Sequence, residues 1–278
     1  MINVLVPTDF SENSWNAIKY GVQFFQKELV HFYLLHVGLF DRPDATKDAV
    51  ANRLVLDLSN GITVGDQLQE TIDRIETSFY RTNHKFSAIH EQSLFIDGIK
   101  RTVAKKKVDF ILMGTKGASG LKEVTIGSRT GEVITRVKCP TLVIPEQAVY
   151  KQPKEIVFPT DFNSYYKNKI LLTLAEVTSI NEARLHILHV TKNNLQLSPI
   201  QVENMEFLED FLMDKPHQFH FQNNDDIQKA LAAFIENTAI DMIAMVAKNI
   251  SFYQRLLFKP SVARISYHTK IPFLVLHE

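Results

Sequence analysis

Short apolar runs alternate with amphipathic stretches along the whole chain. Ile2–Pro7 (INVLVP) is an apolar run broken by Thr8-Asp9-Phe10-Ser11, a strand followed by a turn. From about Asn13 to Lys27, Trp15, Ile18, Val22 and Phe25 recur at helical spacing and share one face. Val30–Val37 (VHFYLLHV) reads as a second buried strand. A polar stretch with Pro43 follows, and a weak helix is expected over about Thr46–Leu58. Asp66–Tyr80 is a helix with Leu68, Ile72, Ile75 and Phe79 on one side. Then come a strand at Lys85–Gln92, a helix at Asp97–Lys107 and a strand at Val108–Met113. A short helix at Thr130–Val137 (Val133, Ile134, Val137) and a strand at Thr141–Pro145 complete the series. Strands alternating with helices predict βαβ units, hence a parallel sheet with helices on both faces. Ligands bind such sheets beyond the carboxyl ends of the strands. The Thr8-Asp9 turn, the His36-Val37 end and the segment from Gly114 all follow strands, so they gather on one edge.

The pattern occurs twice. VLVPTDFSENS at Val4–Ser14 returns as IVFPTDFNSYY at Ile156–Tyr166, and LLHV at Leu34–Val37 as ILHV at Ile187–Val190. VDFILMG at Val108–Gly114 returns as IDMIAMV at Ile240–Val246, and CPTLVIP at Cys139–Pro145 as IPFLVLH at Ile271–His277. The offset is 152 between Asp9 and Asp161 but 132 between Pro140 and Pro272, so the second copy is 20 residues shorter, the loss falling after its second strand. The chain is a tandem duplication with a polar junction near Glu146–Lys154. The expected domains are 1–147 and 153–278.

Composition narrows the function. With 31 basic and 31 acidic residues, the chain lacks the electrostatic footprint of a nucleic-acid binder. Lys105-Lys106-Lys107 is a local basic run at a helix end, where cations complement the dipole. One cysteine, Cys139, excludes an intrachain disulfide and fits a reducing compartment; it reads as a buried structural thiol. Neither a signal-peptide pattern nor an apolar run of about 20 residues is found. A cytoplasmic protein away from membranes is the expectation.

The chemistry concentrates in Met113–Arg129 (MGTKGASGLKEVTIGSR). Gly114, Gly117 and Gly127 lie between a strand end and a helix start. Glycine tolerates φ > 0 and lets another group approach closely. Such a loop aims N–H groups at one point, where the helix dipole also favours an anion. A phosphate cradle and an ordinary strand-to-helix turn are both compatible with the glycines alone.

The PTDFS turn, the LLHV strand, the MGTKG loop and the GS-plus-CPTLVIP ending together resemble the universal stress protein family, across both halves. Nucleotide-binding members show glycine, two residues, glycine, nine residues, glycine, then serine or threonine. Gly114, Gly117, Gly127 and Ser128 fit that spacing without a gap. The resemblance implies an α/β fold of two tandem Rossmann-like (adenine-nucleotide hydrolase-like) domains. Each would be a five-stranded parallel sheet flanked by helices, and the two would pack as a pseudo-two-fold internal dimer through Thr141–Ile144 and Phe273–Leu276. Association of two chains into a homodimer stays open. The resemblance also implies an ATP site in the first half, with Mg2+ as a companion ion. Pro7, Thr8 and Asp9 match the turn whose aspartate contacts adenosine; a helix cap is the structural alternative for Asp9. Val37 matches the strand end whose backbone meets adenine, and Met113 a position lining the pocket or the core. Gly114, Gly117, Gly127 and Ser128 match the phosphate loop, and Arg129 and Thr130 are placed to add donors. Lys116 stands where many members have histidine.

The second copy departs from this pattern. Val246 stands opposite Gly114, Asn249 opposite Gly117, Lys259 opposite Gly127 and Pro260 opposite Ser128. Valine resists φ > 0 and proline offers no N–H. The apolar Ser251–Phe258 segment favours packing over phosphate contact. One ATP site per chain is therefore expected. A GxxxxGK[ST] loop and a GxGxxG fingerprint are both missing. Among ten histidines, His217 and His220 are three apart on a strand and face opposite sides, as do His186 and His189, which argues against a metal site. His36 and His189 read as buried, hydrogen-bonded strand-end residues. No catalytic set is legible. The function expected is a regulatory ATP-binding protein of the stress response. The alternatives are a slow ATPase or self-phosphorylating protein, with Ser128 or Thr130 as acceptor, and a nucleotide-independent adaptor.

Overall fold

The computed structural model describes residues 1–38, 63–115, 127–163, 166, 168–191, 196–247 and 270–277. The weak helix expected near 46–58 lies outside them, as do Lys116, Gly117, Asn249, Ser251–Phe258, Lys259 and Pro260. In the first half, β1 (Ile2–Pro7), β2 (Val30–Gly38), β3 (His84–Gln92), β4 (Phe110–Gly114) and β5 (Thr141–Ile144) alternate, among the described residues, with four helices. These are α1 (Glu12–Phe24), α2 (Val64–Ser78), α3 (Phe95–Lys106) and α4 (Ser128–Arg136). In the second half, β6 (Glu155–Pro159), β7 (Arg184–Thr191), β8 (His217–Asn223), β9 (Met242–Val246) and β10 (Phe273–Leu276) alternate with α5 (Asn168–Asn181), α6 (Pro199–Leu212) and α7 (Ile227–Asn237). No helix among the described residues is long and apolar enough to cross a membrane.

All ten strands join one sheet, in the order β3-β2-β1-β4-β5-β10-β9-β6-β7-β8. Within each half every pairing is parallel, as the alternation predicts. The halves meet at β5 and β10, which pair antiparallel with Leu142 opposite Leu274. The resemblance implied this seam. It hides two strand edges that would otherwise offer unpaired backbone groups. Every residue of both seam strands is buried, as expected for strands covered on both faces.

Side-chain alternation sorts the core. Val4, Val6, Phe32, Leu34 and Leu112 point toward α1 and α2, with Phe25, Leu68, Ile72 and Ile75. Leu5, Tyr33, Leu35, Ile111 and Met113 point the other way, with Ile99 and Val133. α1 sits close to β4 because Gly21 has no Cβ; one placed there would lie 2.2 Å from Leu112 Cδ2. The junction is less detached than its polar composition suggests. Asn16 Nδ2 on α1 donates to the carbonyls of Pro145, Glu146 and Ala148, and Tyr20 meets Tyr150 edge-on. Cys139 is buried; its thiol donates to the carbonyls of Val108 and Asp109, and burial pushes its pKa up to about 12.

Candidate functional site

β1 ends on the buried Pro7, in register with Leu35 of β2. Thr8 continues the pairing, its N–H donating to the Leu35 carbonyl at 2.9 Å. Its hydroxyl then turns the chain, accepting from the Phe10 N–H at 3.1 Å. Phe10 takes φ 61°, a left-handed conformation that costs a bulky residue on the order of 1–2 kcal/mol. Its ring stacks on His36 at 5.0 Å, and His36 Nδ1–H donates to the Thr8 carbonyl at 3.0 Å. The turn and the end of β2 are thus one bonded unit.

Asp9 is not the cap of α1. Ser11 is, accepting from the Ser14 N–H at 3.3 Å. Asp9 Oδ1 instead accepts from the Ser11 N–H at 3.1 Å and from its hydroxyl, and so orients the cap. Capping from Ser11 starts the helix at Glu12 rather than Asn13.

Val37 is half-buried at the end of β2, against α3. The contact needs Gly98, since a Cβ there would come within 3.2 Å of a Val37 methyl and 2.7 Å of Ser93 Oγ. Met113 is core, packed with the Leu5, Ile111 and Val133 cluster. Gly114 ends β4 beside Ile144. The loop then closes on itself at its neck: the Thr115 N–H donates to the Ile144 carbonyl, and the Gly127 N–H to the Thr115 carbonyl. The Thr130 hydroxyl donates to the Gly114 carbonyl at 2.7 Å, which commits its proton to the scaffold. These bonds tie the end of β4 to the start of α4.

Gly127 departs from expectation. Its φ is −55°, open to any residue, and its N–H is engaged, so neither positive φ nor a donor is its contribution there. α4 carries no side-chain cap. The N–H groups of its first turn, Ser128 to Thr130, have no intrahelical partner by the geometry of a helix. Ser128 and Arg129 are exposed there, and the Arg129 guanidinium lies 5.2 Å over the Phe95 ring at the start of α3.

His36 reports how these pieces converge. Burial lowers its pKa, and the Thr8 carbonyl opposes that; His90 and Arg129 lower it further, while Asp9 raises it. The β1 turn, the ends of β2 and β3 and the start of α4 are therefore within electrostatic reach of one imidazole. Reading the sequence placed the turn and the His36-Val37 end on this edge and expected His36 to be hydrogen-bonded; it missed the stacking of Phe10 on His36, the capping by Ser11 and the presence of Phe95. The repeated phenylalanine after PTD and the repeated histidine before the strand-end valine were the available signal.

In the second half, Val246 is buried at the end of β9, where β4 has Gly114. The turn itself is retained. Thr160 Oγ1 accepts from the Phe162 N–H, Phe162 takes φ 55°, and its ring stacks on His189. His189 meets half of its expectation: Nδ1–H donates to the Thr160 carbonyl, whereas Nε2 is buried without a hydrogen-bond partner.

The universal stress protein family model matches residues 1–145. The chain belongs to the universal stress protein family. It is 27% identical over 151 residues to the universal stress protein MJ0577 of Methanocaldococcus jannaschii, spanning 51% of this chain and 93% of that one. The family likeness also runs through both halves. The universal stress protein Slr1230 of Synechocystis is 23% identical over 294 residues, spanning 99% of each chain. A universal stress protein structure from Archaeoglobus fulgidus shares the fold over 99% of this chain and 98% of its own, with a TM-score of 0.66 at 19% identity.

Proposed function

We propose that this universal stress protein is a regulatory nucleotide-binding protein with one ATP site, at the carboxyl edge of its first half. One observation carries the reading. The bonded turn at Thr8–Phe10, the end of β2 and the uncapped start of α4 lie on the same edge, and Gly114 and Gly127, the outer glycines of the spacing seen in nucleotide-binding members, border it. An uncapped helix start is a natural anion site, because its N–H groups and dipole both favour negative charge.

On this reading Asp9 accepts hydrogen bonds from the nucleoside, and the backbone at Val37 meets the base edge. Pro7 and Thr8 hold that turn, and Met113 forms the pocket floor. Gly114, Gly117 and Gly127 admit the phosphates, and the N–H groups of Ser128, Arg129 and Thr130 bind them. Arg129 adds a charge with a planar donor fork. Any Mg2+ would arrive with the phosphates. The second half, with Val246 in place of Gly114, binds no nucleotide in this way. No residue is assigned a catalytic role, and hydrolysis would at most be slow.

The test is mass spectrometry of small molecules that stay with the native protein, followed by titration monitored by Trp15. That residue is the chain's single tryptophan and lies in the first turn and a half of α1. Recovered ATP and a saturable Trp15 signal support the proposal. Recovered ADP with slow turnover supports the ATPase reading instead. No bound nucleotide and no signal would leave the adaptor reading in its place.

A further inference from the structure

Glu155 opens β6, His186 is on β7 and His220 on β8. His186 Nε2 lies 2.6 Å from Glu155 Oε2, and His186 Nδ1 lies 2.8 Å from His220 Nε2. A polar chain therefore crosses three neighbouring strands on one sheet face. It runs through the nearly inaccessible His186 to the outermost strand of the second half. Sequence spacing set His217 against His220 and His186 against His189, and both pairs do split across the sheet. The pairing that matters joins different strands and depends on register, with Leu188 opposite His220.

Among the described residues the first half has no polar chain across three strands; on the matching face only His31 Nε2 and Ser87 Oγ meet, at 2.8 Å across two. Matching the repeats places Asn3 opposite Glu155, Tyr33 opposite His186 and, by strand register, Ile89 opposite His220. The half that lost the glycine loop has a carboxylate and two imidazoles where the other half has an amide, a phenol and an aliphatic side chain. Buried polar chains destabilise unless each member is satisfied, so this is not a neutral exchange.

We propose that Glu155, His186 and His220 form a proton-responsive clasp on the outer strand of the second half, closed with at most one added proton and opened by the second. A carboxylate only accepts, so His186 Nε2 donates to Glu155. His186 Nδ1 and His220 Nε2 then hold a single hydrogen between them. A first added proton sits on the outer nitrogen of His220 and leaves the chain whole. A second places N–H against N–H and two cations side by side, which breaks the 2.8 Å contact. Phe234 of α7 packs its ring against both imidazoles and offers no acceptor in exchange. Opening frees β8, whose strand partner is β7.

The neighbouring charges are few. Glu155 on β6 faces His186. Arg184 shares the His186 face of β7 and is exposed. Beyond Glu155, Asp241 accepts from the Glu155 N–H and pairs with Lys151. On α7, Lys229 is exposed and pairs with Asp226, and Glu236 is exposed. Burial, then His186, lowers the His220 pKa from 6.5. A depressed histidine pKa means that the folded state resists the proton. The clasp's stability is thus present above the ordinary histidine range and lost as pH falls below it.

The test uses the full chain. Imidazole nitrogen NMR should show His186 protonated at Nε2 near neutrality and two well-separated proton uptakes for the pair. Amide exchange in β8, corrected for the intrinsic rate, should stay unchanged across the first uptake and accelerate at least about tenfold across the second. Replacing the set with its first-half counterparts (Glu155→Asn, His186→Tyr and His220→Ile together) should flatten that dependence. Two independent, overlapping titrations overturn the clasp, as does an equal acceleration in the triple variant. If the triple variant does not fold, the imidazole titration of the unaltered chain decides.

Discussion

Thr8–Phe10 and Thr160–Phe162 are bonded alike. In each, threonine donates its N–H to the neighbouring strand at 2.9 Å, and its hydroxyl accepts from the phenylalanine N–H. In each, the phenylalanine has a left-handed φ and stacks on a strand-end histidine at 5.0 Å. One of these turns precedes the glycine loop and the other does not. The turn is therefore scaffolding that both copies keep, and an aspartate in it is not by itself a ligand residue. What separates the copies lies around it. The connection from β2 to α2 is residues 39–63, whereas that from β7 to α6 is only residues 192–198. The short connection brings the first turn of α6 onto the second-half turn. There Gln201 and Asn204 donate to the carbonyls of Asp161 and Phe162, each at 2.7 Å. Shortening one connection and replacing the loop glycines changed the edge without disturbing the turn.

The comparison can be broken at several points. Gly127→Val should cause the largest change. Its φ of −55° suits valine, so the fold should persist while the side chain blocks the phosphates. ATP affinity measured by calorimetry should fall by about a hundredfold, or roughly 2.7 kcal/mol. Unchanged affinity would remove Gly127 from the site. On the unaltered chain, calorimetry should give one nucleotide per chain; two would mean that the second half is not degenerate. An intermediate effect is expected from His277, at the end of the second half. Burial, then Lys169 and Lys138, pushes its pKa down to about 4 from 6.5. Its depressed pKa adds stability that is complete above pH 6.5 and declines as pH falls toward 4. Denaturant titrations should lose on the order of 2 kcal/mol over that interval, and His277→Leu should show a smaller loss. A steeper loss in the variant would contradict the assignment.

Smaller effects test the shared turn. Thr8→Val and Thr160→Val each leave a phenylalanine N–H without its acceptor, and each should cost about 1–2 kcal/mol in urea denaturation. If only the first-half change were destabilising, the turns would not be equivalent scaffolding. Smallest of all, Glu182→Gln removes ion pairs with Lys27 and Lys154, all three side chains being largely open to solvent. It should leave the melting temperature unchanged within error.

Much of this was legible from residue order. The inner strands are apolar runs, whereas β3 and β8 at the sheet edges mix polar and apolar residues; repeated PTDF, LHV and strand-end motifs set the duplication, and the family resemblance implied the seam. Element ends were less legible because they depend on caps. Ser11 rather than Asp9 starts α1, and Thr63 with Asp66 forms a capping box that begins α2 at Val64. Cross-strand chemistry was not legible at all. His186 and His220 are 34 residues apart and meet only through the register of β7 and β8. Gly127 carried a familiar sequence signal, but the backbone conformation expected there was not the one adopted.

The antiparallel seam has a further consequence. Strands of the first half run one way and those of the second half run the other, so the two carboxyl ends open on opposite rims of the same sheet. Along the strand direction the rims stand about 13–16 Å apart, the length of a strand of four or five residues. A molecule seated beyond β4 looks across the seam at the places where second-half strands begin. The duplication therefore made a two-sided plate rather than a double pocket. Each side pairs the finishing ends of one copy with the starting ends of the other, and each can change its chemistry while the other stays as it was.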